Sequence, residues 1–149
     1  MKKILIPVDG SEYSDKALES GKKLAKAFDS KVILVHVKDV RFPLYPYEPG
    51  NVVDMGSTLQ QLVDAAGTHS QKILDKSKEY FADMIDSVET IELEGDPANR
   101  LIKFINENDD IDLVIMGSVG ISGGIQSFIL GSVTNKVLHH IKKPVMVVR

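Results

Sequence analysis

The chain has 149 residues, 43% of them hydrophobic and 26% charged, and no cysteine; that suffices for one domain with a real core, is too little for two, and excludes disulfides and thiol catalysis. A formal net charge of -3, with lysines scattered among acids, lacks the concentrated basic face that a phosphate backbone demands, so no nucleic-acid partner is expected. No apolar stretch is long enough to span a bilayer, and no membrane association is expected either.

The first segment, "KILIPVD", is an apolar run ending at Pro7 and Asp9, and it reads as a strand buried on both faces. The preceding Lys2-Lys3 pair superficially suggests a secretory leader, but the acidic, helix-like continuation lacks a small-residue cleavage site. In "GSEYSDKALESGKKLAKAFD", Ser11 is placed to cap a helix, Glu12 and Asp15 suit its first turn, and Ala17, Leu18, Leu24, Ala25 and Phe28 form its apolar stripe. "KVILVHV" is a second central-type strand, which completes a right-handed βαβ unit. A proline-rich stretch over 38–57 reads as a long excursion above that strand. Helical spacing of apolar residues then predicts a helix from about Thr58 to Ile85, with Gly67 as a possible interruption. "SVETIELEG" alternates as a strand at a sheet margin does. Asp96 reads as the N-cap of a helix begun by Pro97, "IDLVIMG" as a buried strand, "SVTNKVLHHI" as a short helix and "KPVMVVR" as a closing strand. The order βα, βα, βα, βα, β selects a parallel sheet covered by helices on both faces.

Ligands of such sheets bind beyond the carboxyl ends of the strands. "PVDGS", "HVKDV", "LEGDP" and "MGSVG" all reach that rim, and the last begins a run containing Gly117, Gly120, Gly123, Gly124 and Gly131. Glycines beside an apolar strand imply tight turns or a close approach of backbone to something else. Gly117 and Gly120 can turn backbone N–H groups inward, while Gly131-Ser132-Val133 opens a helix whose orphan donors attract negative charge. On these grounds phosphate binding and simple turn chemistry stand level. No lysine follows the glycines as a P-loop requires, and the cluster follows the fourth strand rather than the first. Histidines 36, 69, 139 and 140 form no metal-ligand pattern and read as structural or exposed.

Across nearly its whole length the chain resembles the ATP-binding branch of the universal stress protein family, which has the adenine nucleotide alpha hydrolase-like fold. The resemblance lies in "ILIPVDGSEYSDKALE", "VILVHV", "DLVIMGSVG" and "LGSVTNKVLHHIKKPVMVV". The family motif is Gly, two residues, Gly, nine residues, then Gly with Ser or Thr. Gly117 and Gly120 match the first pair and Gly131-Ser132 the last, whereas "ISGGIQSFIL" between them is one residue longer than the usual pattern. The resemblance implies a single-domain three-layer sandwich over 1–149 with strand order 3-2-1-4-5, and ATP bound between the first-strand loop and the glycine loops. Pro7 and Val8 would then lie near the base, and Asp9 would orient the ribose or a water on a nucleotide-borne Mg2+. Val37 would read the base edge, Met116 would close the pocket, and Gly117, Gly120, Gly131, Ser132 and Val133 would receive the phosphates. Taken alone, Asp9 equally reads as a loop carboxylate that satisfies nearby N–H groups, Val37 as strand packing and Met116 as core.

The function expected is that of a cytoplasmic, nucleotide-dependent stress-response module. It would form a homodimer through the C-terminal "PVMVV" and act on a protein partner that the sequence does not identify. ATP hydrolysis would be slow, because Asp9 is the sole metal-site carboxylate in reach and no Walker lysine or arginine finger accompanies it. A metal-assisted nucleotide-hydrolysing or phosphotransfer enzyme using Asp9 and Ser132, and an interaction protein that binds no nucleotide, are the alternatives.

Overall fold

Ile4, Leu5 and Ile6 are completely buried, as expected of a strand with neighbours on both sides and helices above and below. This strand, β1 (Lys3–Pro7), lies at the centre of a five-stranded sheet. A computed structural model describes residues 1–39, 55–119 and 130–149. In chain order, β1 is followed by α1 (Glu12–Phe28), β2 (Lys31–Lys38), α2 (Met55–Glu79), β3 (Val88–Glu94), α3 (Pro97–Glu107), β4 (Leu113–Gly117), α4 (Ser132–His140) and β5 (Val145–Val148). All pairings are parallel and the order is β3-β2-β1-β4-β5, the order expected. The topology therefore reverses between β1 and β4, and a cleft opens there at the carboxyl ends.

Strand alternation divides the core into two layers. Ile4, Ile6, Val32 and Leu34 face α1 and α2, whose Leu18, Ala25, Ile73 and Leu74 cover them. Leu5, Ile33, Val35, Val37 and Val114 face the other way, against Leu101 and Ile105 of α3 and Val137 of α4. Burying each of these branched side chains contributes roughly 1.5–3 kcal/mol. The alternating "VETIELE" forms β3 at one margin, and β5 forms the other.

Local signals set several boundaries. Ser11 Oγ accepts from Ser14 N–H at 3.2 Å and starts α1. Asp96 Oδ1 accepts from Asn99 N–H at 2.9 Å and starts α3, with Pro97 in its first turn. The expected helix over Thr58–Ile85 is corrected at both ends: α2 begins at Met55 and stops at Glu79, and a 3-10 segment spans Ala82–Ser87. The break coincides with Phe81, whose backbone (φ -107°, ψ 23°) leaves the helix while its ring is wholly buried in the α1/α2 layer. Gly67 does not interrupt α2. Of the expected 38–57 excursion, residues 40–54 lie outside the described residues, and 55–57 belong to α2. Among the described residues no helix is long and apolar enough to cross a membrane.

Candidate functional site

A cleft of about 470 Å³ opens over the carboxyl ends of β1, β2 and β4. Pro7, Val8 and Asp9 leave β1 along one wall, Val37 enters from β2, Met116 and Gly117 end β4, and Gly131, Ser132 and Val133 start α4; all nine line the cleft. Gly120 and the extra residue of the glycine loop lie outside the described residues. Val37 and Met116 are also members of the α3/α4 core layer, so core packing and cleft lining are two faces of the same residues.

The base of the glycine loop is tied at several points. Ser118 N–H donates to Val148 O at 2.7 Å, Gly131 N–H donates to Ser118 O at 2.8 Å, and Thr134 Oγ1 donates to Gly117 O at 2.8 Å. The last two bonds hold the start of α4 against the end of β4, and the first ties that end to β5. The Thr134 hydroxyl donates its proton to the tie between α4 and β4. Gly117 also has a packing reason of its own: a Cβ there would come within 2.8 Å of the Tyr13 carbonyl carbon. The close approach that its glycine signals is that of α1.

Three helix starts with described caps meet this rim, and they differ. Ser11 caps α1 and Asp96 caps α3, whereas Gly131 precedes α4 with no side-chain cap and no acid in the first turn. The N–H groups of an uncapped first turn retain their need for an acceptor, and the helix dipole adds positive potential there. An anion seated against Ser132 and Val133 would satisfy both.

The opposite wall is a tightly bonded turn. Asp9 Oδ1 accepts from Ser11 N–H at 3.0 Å, so the loop-carboxylate reading of Asp9 holds alongside its place on the cleft wall. Gly10, at φ 79°, allows the chain to turn into α1. Lys38 is the one lysine among the described lining residues, and no arginine joins it there. Its ammonium lies 3.3 Å from both Glu92 and Glu94 on β3, and hydrogen bonds to Glu94 and then Glu92 raise its pKa. The described residues bring no three His, Asp or Glu side chains together as a metal site. Asp39 joins Asp9 among the described lining residues, so the cleft holds two carboxylates where the sequence pointed to one, and a Mg2+ ion here would draw on them together with phosphate and water oxygens.

Sequence reasoning brought the stretches holding His36 and Pro97 to this rim without assigning either to the site, and it missed Ser14, Leu101 and His69 as cleft residues. His36 alternates onto the α1/α2 side of β2, and its Nδ1 donates to Val8 O at 2.7 Å. The period of the strand assigned its face, but nothing local marked its partner 28 residues away.

The whole chain, residues 1–149, matches the universal stress protein family. Universal stress protein MJ0531 of Methanocaldococcus jannaschii is 33% identical over 148 residues, covering 99% of this chain and 82% of that protein. Universal stress protein UspA from Lactobacillus plantarum superposes with a TM-score of 0.80 at 22% identity, covering 99% of this chain and 97% of the other. A universal stress protein solved in complex with cAMP shares the fold with a TM-score of 0.68 at 24% identity, over 99% of this chain and 97% of its own.

Proposed function

The chain belongs to the universal stress protein family, and from that premise we propose that it is a cytoplasmic ATP-binding module whose nucleotide occupancy alters the surface it offers a protein partner. The observation that carries this reading is the uncapped start of α4, facing a cleft whose other walls are Pro7–Asp9 and Val37. Phosphates would meet the N–H groups of Ser132 and Val133, Gly117 and Gly120 would flank them, and the base would lie among Pro7, Val8, Val37 and Met116. Asp9 would face the ribose or a water on the phosphate-bound Mg2+. The complex of a protein of the same fold with cAMP makes adenine nucleotides the class to test.

Binding without efficient turnover is the expected outcome. Neutral N–H donors hold ground-state phosphates, but the lining lysine is committed to Glu92 and Glu94 and supplies little to the charge of a transition state. Binding that favours one arrangement of the cleft loops would shift their population by the difference in affinity. Calorimetry with ATP, AMP, cAMP and GTP, each with and without Mg2+, tests the proposal. Saturable adenine-nucleotide binding supports it, and none at millimolar ligand favours the interaction-protein alternative. Rapid ATP turnover abolished by Asp9→Ala would make the protein an enzyme instead.

The assembly proposed is a homodimer through β5. That strand is a sheet margin, and Met146 on it is 39% exposed. An open apolar edge invites pairing with another chain, and a two-fold axis would close both edges at once.

A further inference from the structure

We propose that His36 is a positioning residue of the cleft: with Ser14 it clamps the peptide unit between Val8 and Asp9 and thereby sets where Asp9 stands. The ligand in this proposal is the adenine nucleotide of the preceding section, and the proposal rests on that reading.

The β1–β2 register ends at the pair Pro7 and Val35. One residue later the main chain is still held to β2, because Val8 N–H donates to Val35 O at 2.8 Å. The next peptide unit comprises Val8 C=O and Asp9 N–H, and side chains hold it at both ends. His36 Nδ1 donates to the carbonyl at 2.7 Å, and Asp9 N–H donates to Ser14 Oγ at 3.4 Å. A carbonyl can only accept, so Nδ1 carries a proton in this arrangement. The two clamping residues come from different elements, β2 and α1. Gripping a peptide on both sides prevents rotation of its plane, which one bond alone would permit.

Burial makes the clamp hard to replace. His36 is 9% exposed and Ser14 is 3% exposed, so a lost donor is not simply exchanged for bulk water and leaves an unsatisfied carbonyl. Downstream, Asp9 closes its own turn onto Ser11 N–H, so tilting the Val8–Asp9 peptide would displace both the carboxylate and the entry into α1. Placement of a binding group within about 0.5 Å depends on such supporting contacts.

The test compares His36→Leu, which removes the donor while keeping apolar bulk, with His36→Asn, whose amide nitrogen is attached to Cγ as Nδ1 is. Binding of ATP with Mg2+ is measured by calorimetry, amide hydrogen exchange at Asp9 and Ser11 by NMR, and folding by circular dichroism. The expected result is affinity at least tenfold weaker and faster exchange at both amides in the leucine variant, with the asparagine variant within about threefold of wild type. If the leucine variant fails to fold, His36→Met, which likewise carries no donor and adapts to the space, takes its place. A folded donor-less variant with unchanged affinity overturns the proposal. So does an equal loss in the asparagine variant, which would assign the effect to the ring rather than its donor. If wild-type protein binds no adenine nucleotide, the functional reading fails on its own, and exchange decides the clamp: unchanged rates at Asp9 and Ser11 in His36→Leu overturn it, and accelerated rates restored by asparagine support it.

Discussion

Gly117 and Tyr13 stand so close that a Cβ on the glycine would lie 2.8 Å from the tyrosine's carbonyl carbon and 2.9 Å from its oxygen. The end of β4 is thus pressed against the first turn of α1, at the same rim where Gly117 lines the cleft.

Replacing Gly117 by Ala should therefore destabilise the fold, by about 1–3 kcal/mol as overpacking does. The clash is with backbone, which cannot swing aside as a long side chain can. Urea unfolding measures the loss. A midpoint equal to wild type would show that α1 shifts freely and that the contact carries no constraint.

Gly131→Asp separates folding from ligand binding, because its two effects have opposite signs. A carboxylate at the N-cap of α4 supplies the missing acceptor and should add about 0.5 kcal/mol of stability. The same charge occupies and repels the place proposed for phosphate, so ATP affinity should fall at least tenfold. Thermal melting and calorimetry on one preparation provide both values, and affinity retained in the stabilised variant would remove the phosphates from this helix start.

Acid sensitivity should depend in part on Asp112. Its Oδ2 accepts from the backbone N–H of Lys2 at 2.5 Å and of Lys3 at 3.0 Å, and these bonds hold its pKa below the ordinary carboxylate value. A folded pKa below the unfolded one means that the stabilisation is complete above the unfolded value, about 4, and is lost as pH falls through the folded value. Asp110, lowered chiefly by its bond to Lys3, acts in the same direction. Asp112→Ala should melt lower than wild type at pH 7, and the gap should close toward pH 2. A gap of constant size would assign the effect to something other than ionisation.

Met146→Lys tests the β5 edge. The side chain is exposed, so the substitution should leave the monomer fold intact while placing a charge on the apolar margin. Light scattering should give twice the chain mass for wild type at micromolar concentration and a shift toward the single-chain mass for the variant. A monomeric wild type would reject the dimer; a dimer indifferent to the change would move its interface elsewhere.

The elements of this protein were legible in the chain because their causes are local. Apolar runs such as "ILI" and "VILV" mark strands buried on both faces, the alternation of "VETIELE" marks a margin, and Ser11 and Asp96 cap helices three residues away. The βα order then leaves a parallel sheet, and the glycine run falls on its ligand-binding rim. What the tertiary structure decided lies in partners far apart in sequence. Phe81 ends α2 by turning into the core, Thr134 turns its hydroxyl to Gly117, Gly117 is a glycine because of Tyr13, and His36 on β2 reaches Val8 just beyond the neighbouring β1. Periodicity assigns a side chain to a face, but the register between strands joined by a crossover helix chooses the atom it meets there, and that register is an outcome of packing the whole sheet.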